Sequence, residues 1–207
     1  MKAFLRFLAG LALFAVALAV IGAVVVYSGA YNVSATSGHT KLVGAVLNKM
    51  TVQSVRAHAR DIVSPVSMDF RSPEILEHGA GHFEAMCRTC HGAPGKKADP
   101  WQLYPPAPDL ADAVRDHQWS DAEVFWIIKN GIKDSAMSAF GGSHSDEDIW
   151  GMVAFIRQLP SMAPDRYSTM AAHAREHMQE ENSEQHAAEH EKQRSGDAPR
   201  SEPPHQH

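Results

Sequence analysis

Leu8 to Tyr27 reads "LAGLALFAVALAVIGAVVVY", twenty residues without a charge and apolar at almost every position. At about 1.5 Å per residue, a helix of that length spans a hydrocarbon core of about 30 Å. Lys2 and Arg6 precede the block, and no further charge appears until Lys41. Positive charges stay on the cytoplasmic side, so the chain beyond Tyr27 is expected outside the cytoplasm. Secretory signals carry a shorter apolar region, about 7–15 residues, which favours a retained anchor over residues 1–30. Ser28-Gly29-Ala30 would suit a signal peptidase, so a cleaved signal stays open. Tyr27 and Tyr31 fall where aromatic rings collect at a membrane interface.

The pattern then changes. "NVSATSGHT" is a polar linker, after which Leu42, Val43, Val46, Leu47, Met50 and Val55 recur with helical period. An amphipathic helix is expected there, lying on the following domain or near the membrane, within a linker region 31–71. Pro65 and Pro73 bracket a break. Residues 72–160 then form the main domain. Ser72-Pro73-Glu74 marks a helix start, and that helix should run to about Thr89. Four prolines in Lys96–Ala111 predict a loop. Ser120 with Glu123, and Ser145 with Asp148, have capping-box spacing; Gly131 and Pro160 end the helices they start. No useful strand alternation is present, so the domain is all-α: three main helices, with long loops that need something to pack around. Residues 161–207 are rich in Glu, His, Gln and Arg. That stretch reads as a polar tail, helical to about Glu191 and disordered beyond.

Composition adds little to this division. The chain has 207 residues and a formal charge of −5, which gives no electrostatic argument for nucleic acid. Paired carboxylates, a nucleophile triad and a phosphate-cradling glycine loop are all lacking, so hydrolase and kinase readings have no support.

Chemistry concentrates in "EAMCRTCHGAPG", which holds both cysteines, Cys87 and Cys90, followed directly by His91. A structural zinc site needs four ligands, and there is no second cysteine pair. A thioredoxin-like pair belongs in a βαβ setting. A disulfide would leave His91 unexplained. Cys-x-x-Cys-His is the attachment signature of c-type haem: the thiols add to the vinyl groups and the histidine ligates the iron. Iron in an electron carrier commonly takes a methionine thioether as sixth ligand. Met137 is the candidate, on the loop "GIKDSAMSAFGG". Met152 lies within a core pattern and Met86 is too near the motif. His117 and His144 are alternatives whose plainer reading is surface imidazole.

"CRTCHGAPG", "YPPAPDL", "FWIIKNGI", "AMSAFG" and "SDEDIWGMVAFIRQLP" resemble a membrane-anchored class I c-type cytochrome of proteobacterial type, over about Pro73 to Pro160. The resemblance implies the class I cytochrome c fold, one covalently bound haem c, and an electron-transfer protein rather than an enzyme. It also implies a bacterial inner-membrane location with the domain in the periplasm. Redox proteins would be its partners: a respiratory complex, or a periplasmic dehydrogenase or oxidase. It implies further that Gly79 and Phe83 meet Met152 and Phe155, that the Pro108 carbonyl bonds the His91 ring, and that Leu110 packs on the haem. This chain departs from the family in having Ser138 after Met137 where proline is usual, and Asp134 where many members carry a second methionine. An acid close to the iron would lower the potential.

Two rival readings remain from the residues. One is a haem that binds a ligand at an open iron position. The other is metal handling by the tail, where His173 and His177, and His186 and His190, have the i, i+4 spacing of one helix face, with His205 and His207 beyond. Among smaller features, Trp119, Trp126 and Trp150 read as core or haem-edge packing. Trp101 and Tyr104 could donate to a propionate. Lys96 and Lys97 border the haem edge in one reading and are solvated in the other.

Overall fold

The computed structural model describes residues 1–34, 36–65, 68–100, 103–116, 118–177, 179 and 183. Helix α1 (Lys2–Tyr27) is the apolar block; none of its residues is buried, and it is long and apolar enough to cross a membrane. Helix α2 (Lys41–Ala59) starts on Thr40, whose hydroxyl accepts from the Val43 amide. Its last turns bury Val55 and Ala59 against α6 (Asp121–Asn130). Of the amphipathic face expected from the sequence, Val55 is buried and Val43 and Leu47 are half-buried, while Leu42, Val46 and Met50 remain exposed.

The domain is helical, with no strand among the described residues and one isolated bridge between Ala93 and Lys96. Helix α3 (Pro73–His82) does not run on as regular α-helix. Phe83–Cys87 widens into a π turn, after which α4 (Arg88–His91) completes the rod. A short α5 (Leu110–Arg115) is capped by Asp109, which accepts from the amides of Ala111 and Asp112. Both capping boxes read from the sequence form: Ser120 with Glu123 opens α6, and Ser145 with Asp148 opens α7 (Asp146–Gln158).

Helix α7 is the centre of the core. Every residue from Ile149 to Ile156 is buried, which no single amphipathic stripe could produce. Neighbours must cover it on all sides. Trp150 stacks on Phe125 of α6 at 4.4 Å between ring centres. Phe83 packs on Phe155 at 5.2 Å. Each such side chain contributes about 1.5–3 kcal/mol by leaving water. Helix α3 crosses α7 at Gly79, where an added Cβ would lie 2.2 Å from the Gly151 carbonyl oxygen and 2.9 Å from the Cβ of Phe155. The crossing is therefore glycine on glycine, and Gly79 and Phe83 both meet Phe155 there.

The core does not stop at Pro160. A further helix, α8, covers 164–177, and Tyr167, Ala171 and Ala174 on it are buried. Tyr167 meets Phe83 and Phe155, and donates a short hydrogen bond to Glu84. The described part of the tail is therefore packed on the domain. Its polar composition hid a stripe of three small or aromatic residues at helical spacing.

Asp148 makes the start of α7 sensitive to acid. Burial alone would raise its pKa. Hydrogen bonds from the Ser145 side chain and amide, with His78 and His82 nearby, outweigh burial and hold it below the ordinary value. A depressed carboxylate stabilises the fold above its unfolded pKa, near 3.9, and that contribution disappears as pH falls through the folded value. Asp148→Asn should therefore lower stability at pH 7, with the gap to wild type closing below about pH 4. Urea unfolding at the two pH values reads this directly, and a gap that persists in acid contradicts it.

Candidate functional site

The rod from α3 through α4 carries the cysteine motif at its C-terminal end. Cys87 ends the π turn, and Cys90 and His91 lie on α4, so the two thiols stand about one turn apart on one element. Neither is in a disulfide. Cys87 is buried, and burial, with neighbouring Cys90 adding to it, pushes its thiol up to about 12. Left alone, it stays protonated.

The His91 ring is fixed from the other side of the loop. Its Nδ1 lies 2.8 Å from the Pro108 carbonyl oxygen, so Nδ1 carries the proton and donates, leaving Nε2 with a free lone pair. Burial lowers the imidazole's pKa, against opposing pulls from that carbonyl and from Asp109. A neutral ring with a defined tautomer is what a metal-ligating histidine requires. Leu110, next to the Asp109 cap, packs against the core and borders a cavity of about 290 Å³ together with His91.

Met137 is held by the turn after α6. Gly131 ends that helix with φ +69°, and a Cβ there would lie 2.6 Å from the Met137 carbonyl oxygen. That carbonyl accepts from the Ile132 amide at 3.0 Å, and the Met137 amide donates to the Ser135 hydroxyl at 3.1 Å. Phe140 and Gly141 donate back to Ile128 and Lys129. The Ser138 that replaces the usual proline therefore follows a loop already pinned on both sides, and Met137 packs against the core.

A second cavity, of about 470 Å³, opens beside these loops. Tyr104, Trp126 and Ile132 line it, with Leu47 and Met50 of α2 across from them; Asp134 sits at its wall. Cys87, Cys90, His91 and Met137 are not among its walls. Tyr104 has its ring against Gly38 and His39 of the linker, and Lys96 extends over the Tyr167 ring toward Glu84. Trp119, whose carbonyl accepts from Arg157, and Trp126, beside His58, are part-buried. His117 and Trp101 lie outside the described residues, as do His186, His190, His205 and His207. His173 faces Glu77 of α3 at 3.3 Å.

Residues 74–156 match the family model described as cytochrome c oxidase, cbb3-type, subunit III. This segment is a c-type cytochrome domain. The match covers less than half of the chain and falls inside the helical domain, which has the class I cytochrome c fold. No curated protein and no solved structure matches the chain. A c-type cytochrome domain implies covalently bound haem c and an electron carrier rather than a catalyst. The residues present fit that group: two unpaired thiols on one helix, and an imidazole whose second nitrogen is already satisfied. The N-terminal apolar helix fits membrane anchoring of the cytochrome domain.

Sequence reasoning missed two features. One is the network around Glu84, whose carboxylate faces Arg88, Lys96, Arg175 and Tyr167. The other is the approach of His78 and His82 to Asp148. The i, i+4 spacing of His78 and His82 was the available signal for the second.

Proposed function

We propose that the chain is a membrane-anchored one-electron carrier with a single haem c, bound through Cys87 and Cys90 and ligated by His91 and Met137. The observation that carries this reading is the His91–Pro108 hydrogen bond on the helix that bears both thiols. Haem c supplies a one-electron couple between ferrous and ferric iron. Cys87 and Cys90 hold it covalently. The Pro108 carbonyl orients the His91 ring and strengthens Nε2 as a donor. The hydrogen bonds on either side of Met137 keep its thioether within a narrow range of positions. Leu110 excludes water on the histidine side.

Lys2 and Arg6 keep the N-terminus cytoplasmic, so the domain lies on the periplasmic face of the inner membrane. Its partners are redox proteins of that compartment, a respiratory complex or a periplasmic dehydrogenase or oxidase. They meet it through small, transient contacts below about 1,200 Å².

The test uses holoprotein matured in a host competent for cytochrome c assembly. Mass spectrometry should find one covalent haem. The reduced spectrum should be low-spin, and Met137→Ala should turn it high-spin. A wild-type spectrum that is already high-spin favours a ligand-binding haem, and a colourless polypeptide overturns the reading.

A further inference from the structure

We propose that His78, His82 and Asp148 form a binding site for a divalent transition ion of the zinc type, separate from the haem motif. His78 and His82 stand one turn apart on α3, and Asp148 reaches them from the first turn of α7. The two Nε2 atoms are 3.4 Å apart, and the Asp148 Oδ1 lies 3.5 Å from that of His78 and 4.0 Å from that of His82.

These distances are long for hydrogen bonds, which cluster near 2.9–3.0 Å for nitrogen donors. They suit ligands that share one ion. A triangle with those sides has a centre about 2.1 Å from every corner, within the ranges of zinc–imidazole and zinc–carboxylate bonds. Two neutral imidazoles can share at most one proton between these nitrogens, in a long hydrogen bond, whereas an ion takes a lone pair from each.

The carboxylate is already oriented for the task. Asp148 Oδ2 accepts from the Ser145 amide and hydroxyl, both at 2.8 Å, which leaves Oδ1 directed at the histidines. Such outer hydrogen bonds are how proteins aim a ligand at a metal. The site is also accessible: the His78 side chain is 53 % exposed, while that of His82 is 18 %. His144 stands edge-on to His82, with ring centres 5.0 Å apart. Two imidazoles and one carboxylate leave coordination positions for water. Neutral imidazole with an oxygen donor suits zinc, and copper or nickel by the same chemistry.

Occupancy would tie α3 to α7 at the open end of their crossing, a few residues before Cys87 on the same rod. Because the folded protein binds and the unfolded chain does not hold the three groups together, zinc should raise thermal stability.

The experiment takes the full-length holoprotein in detergent and titrates Zn²⁺ by calorimetry, with thermal unfolding in parallel. Wild type should bind zinc with micromolar or tighter affinity and show a higher Tm with zinc present. His78→Gln and His82→Gln should each weaken that site at least about tenfold and remove the Tm increase. His173→Gln with His177→Gln, which alters only α8, should leave the increase intact. His78 is exposed, so its variant decides the matter even if His82→Gln misfolds. Wild type with no zinc-dependent Tm change, or a His78→Gln response equal to wild type, overturns the proposal.

Discussion

Gly79→Ala is expected to destabilise the cytochrome domain by about 3 kcal/mol or more, although alanine is the better helix former by about 1 kcal/mol. The new methyl carbon would stand 2.2 Å from the carbonyl oxygen of Gly151 and 2.7 Å from its carbon. Both obstacles are backbone, so neither can rotate away. Helices α3 and α7 would have to separate, opening the contacts of Phe83 with Phe155 and exposing part of α7, buried from Ile149 to Ile156. The comparison variant is Gly44→Ala on α2, where the nearest atom to an added Cβ is 3.9 Å away. Propensity alone acts there, and the change should be neutral or stabilising by up to about 1 kcal/mol. Denaturant unfolding of both variants checks the pair. Equal and small effects at the two sites would mean that the crossing is looser than its distances indicate.

The second large effect is expected at Glu84. Its side chain is 9 % exposed and serves three segments at once. One oxygen accepts from the Tyr167 hydroxyl on α8, and the other faces Arg88, Lys96 and Arg175 at 3.7–3.9 Å. Removing a buried charge from such a set leaves its partners without an anion, at a cost of about 3–5 kcal/mol for fully buried pairs. Here Arg175 and Lys96 are partly solvated and can turn to water, so Glu84→Ala is expected to cost about 3 kcal/mol. Tyr167→Phe removes only the phenol's share, about 1 kcal/mol. Limited proteolysis should cut ahead of α8 in Glu84→Ala and spare wild type. If the two variants are equally stable, the cations contribute nothing and the carboxylate is only a hydrogen-bond acceptor for Tyr167.

What could be read from the sequence was what is determined locally. The starts of α6 and α7 follow from Ser120 with Glu123 and Ser145 with Asp148, because a capping box is closed within four residues. The Pro108–His91 hydrogen bond was expected from a family resemblance, not from spacing, because a carbonyl carries no residue signature. Features that depend on partners distant in the chain stayed hidden. Helix α8 looks polar because one face only is buried, and that face becomes visible once Phe83 and Glu84 supply its lining. Asp148 joins His78 and His82 only because α3 and α7 cross, although two of the three residues were visible as a histidine pair. The π turn has no obvious marker in "FEAMC".

That wide turn has a mechanical meaning. One extra residue in a helical ladder advances everything after it by about 100° around the axis. The stretch before Phe83 can thus keep its glycine facing its neighbour, while the stretch after Cys87 aims its sulfur and nitrogen donors elsewhere. The rod behaves like a crankshaft with two journals set at different angles. Shortening it by one position would leave each half intact and point the donors the wrong way.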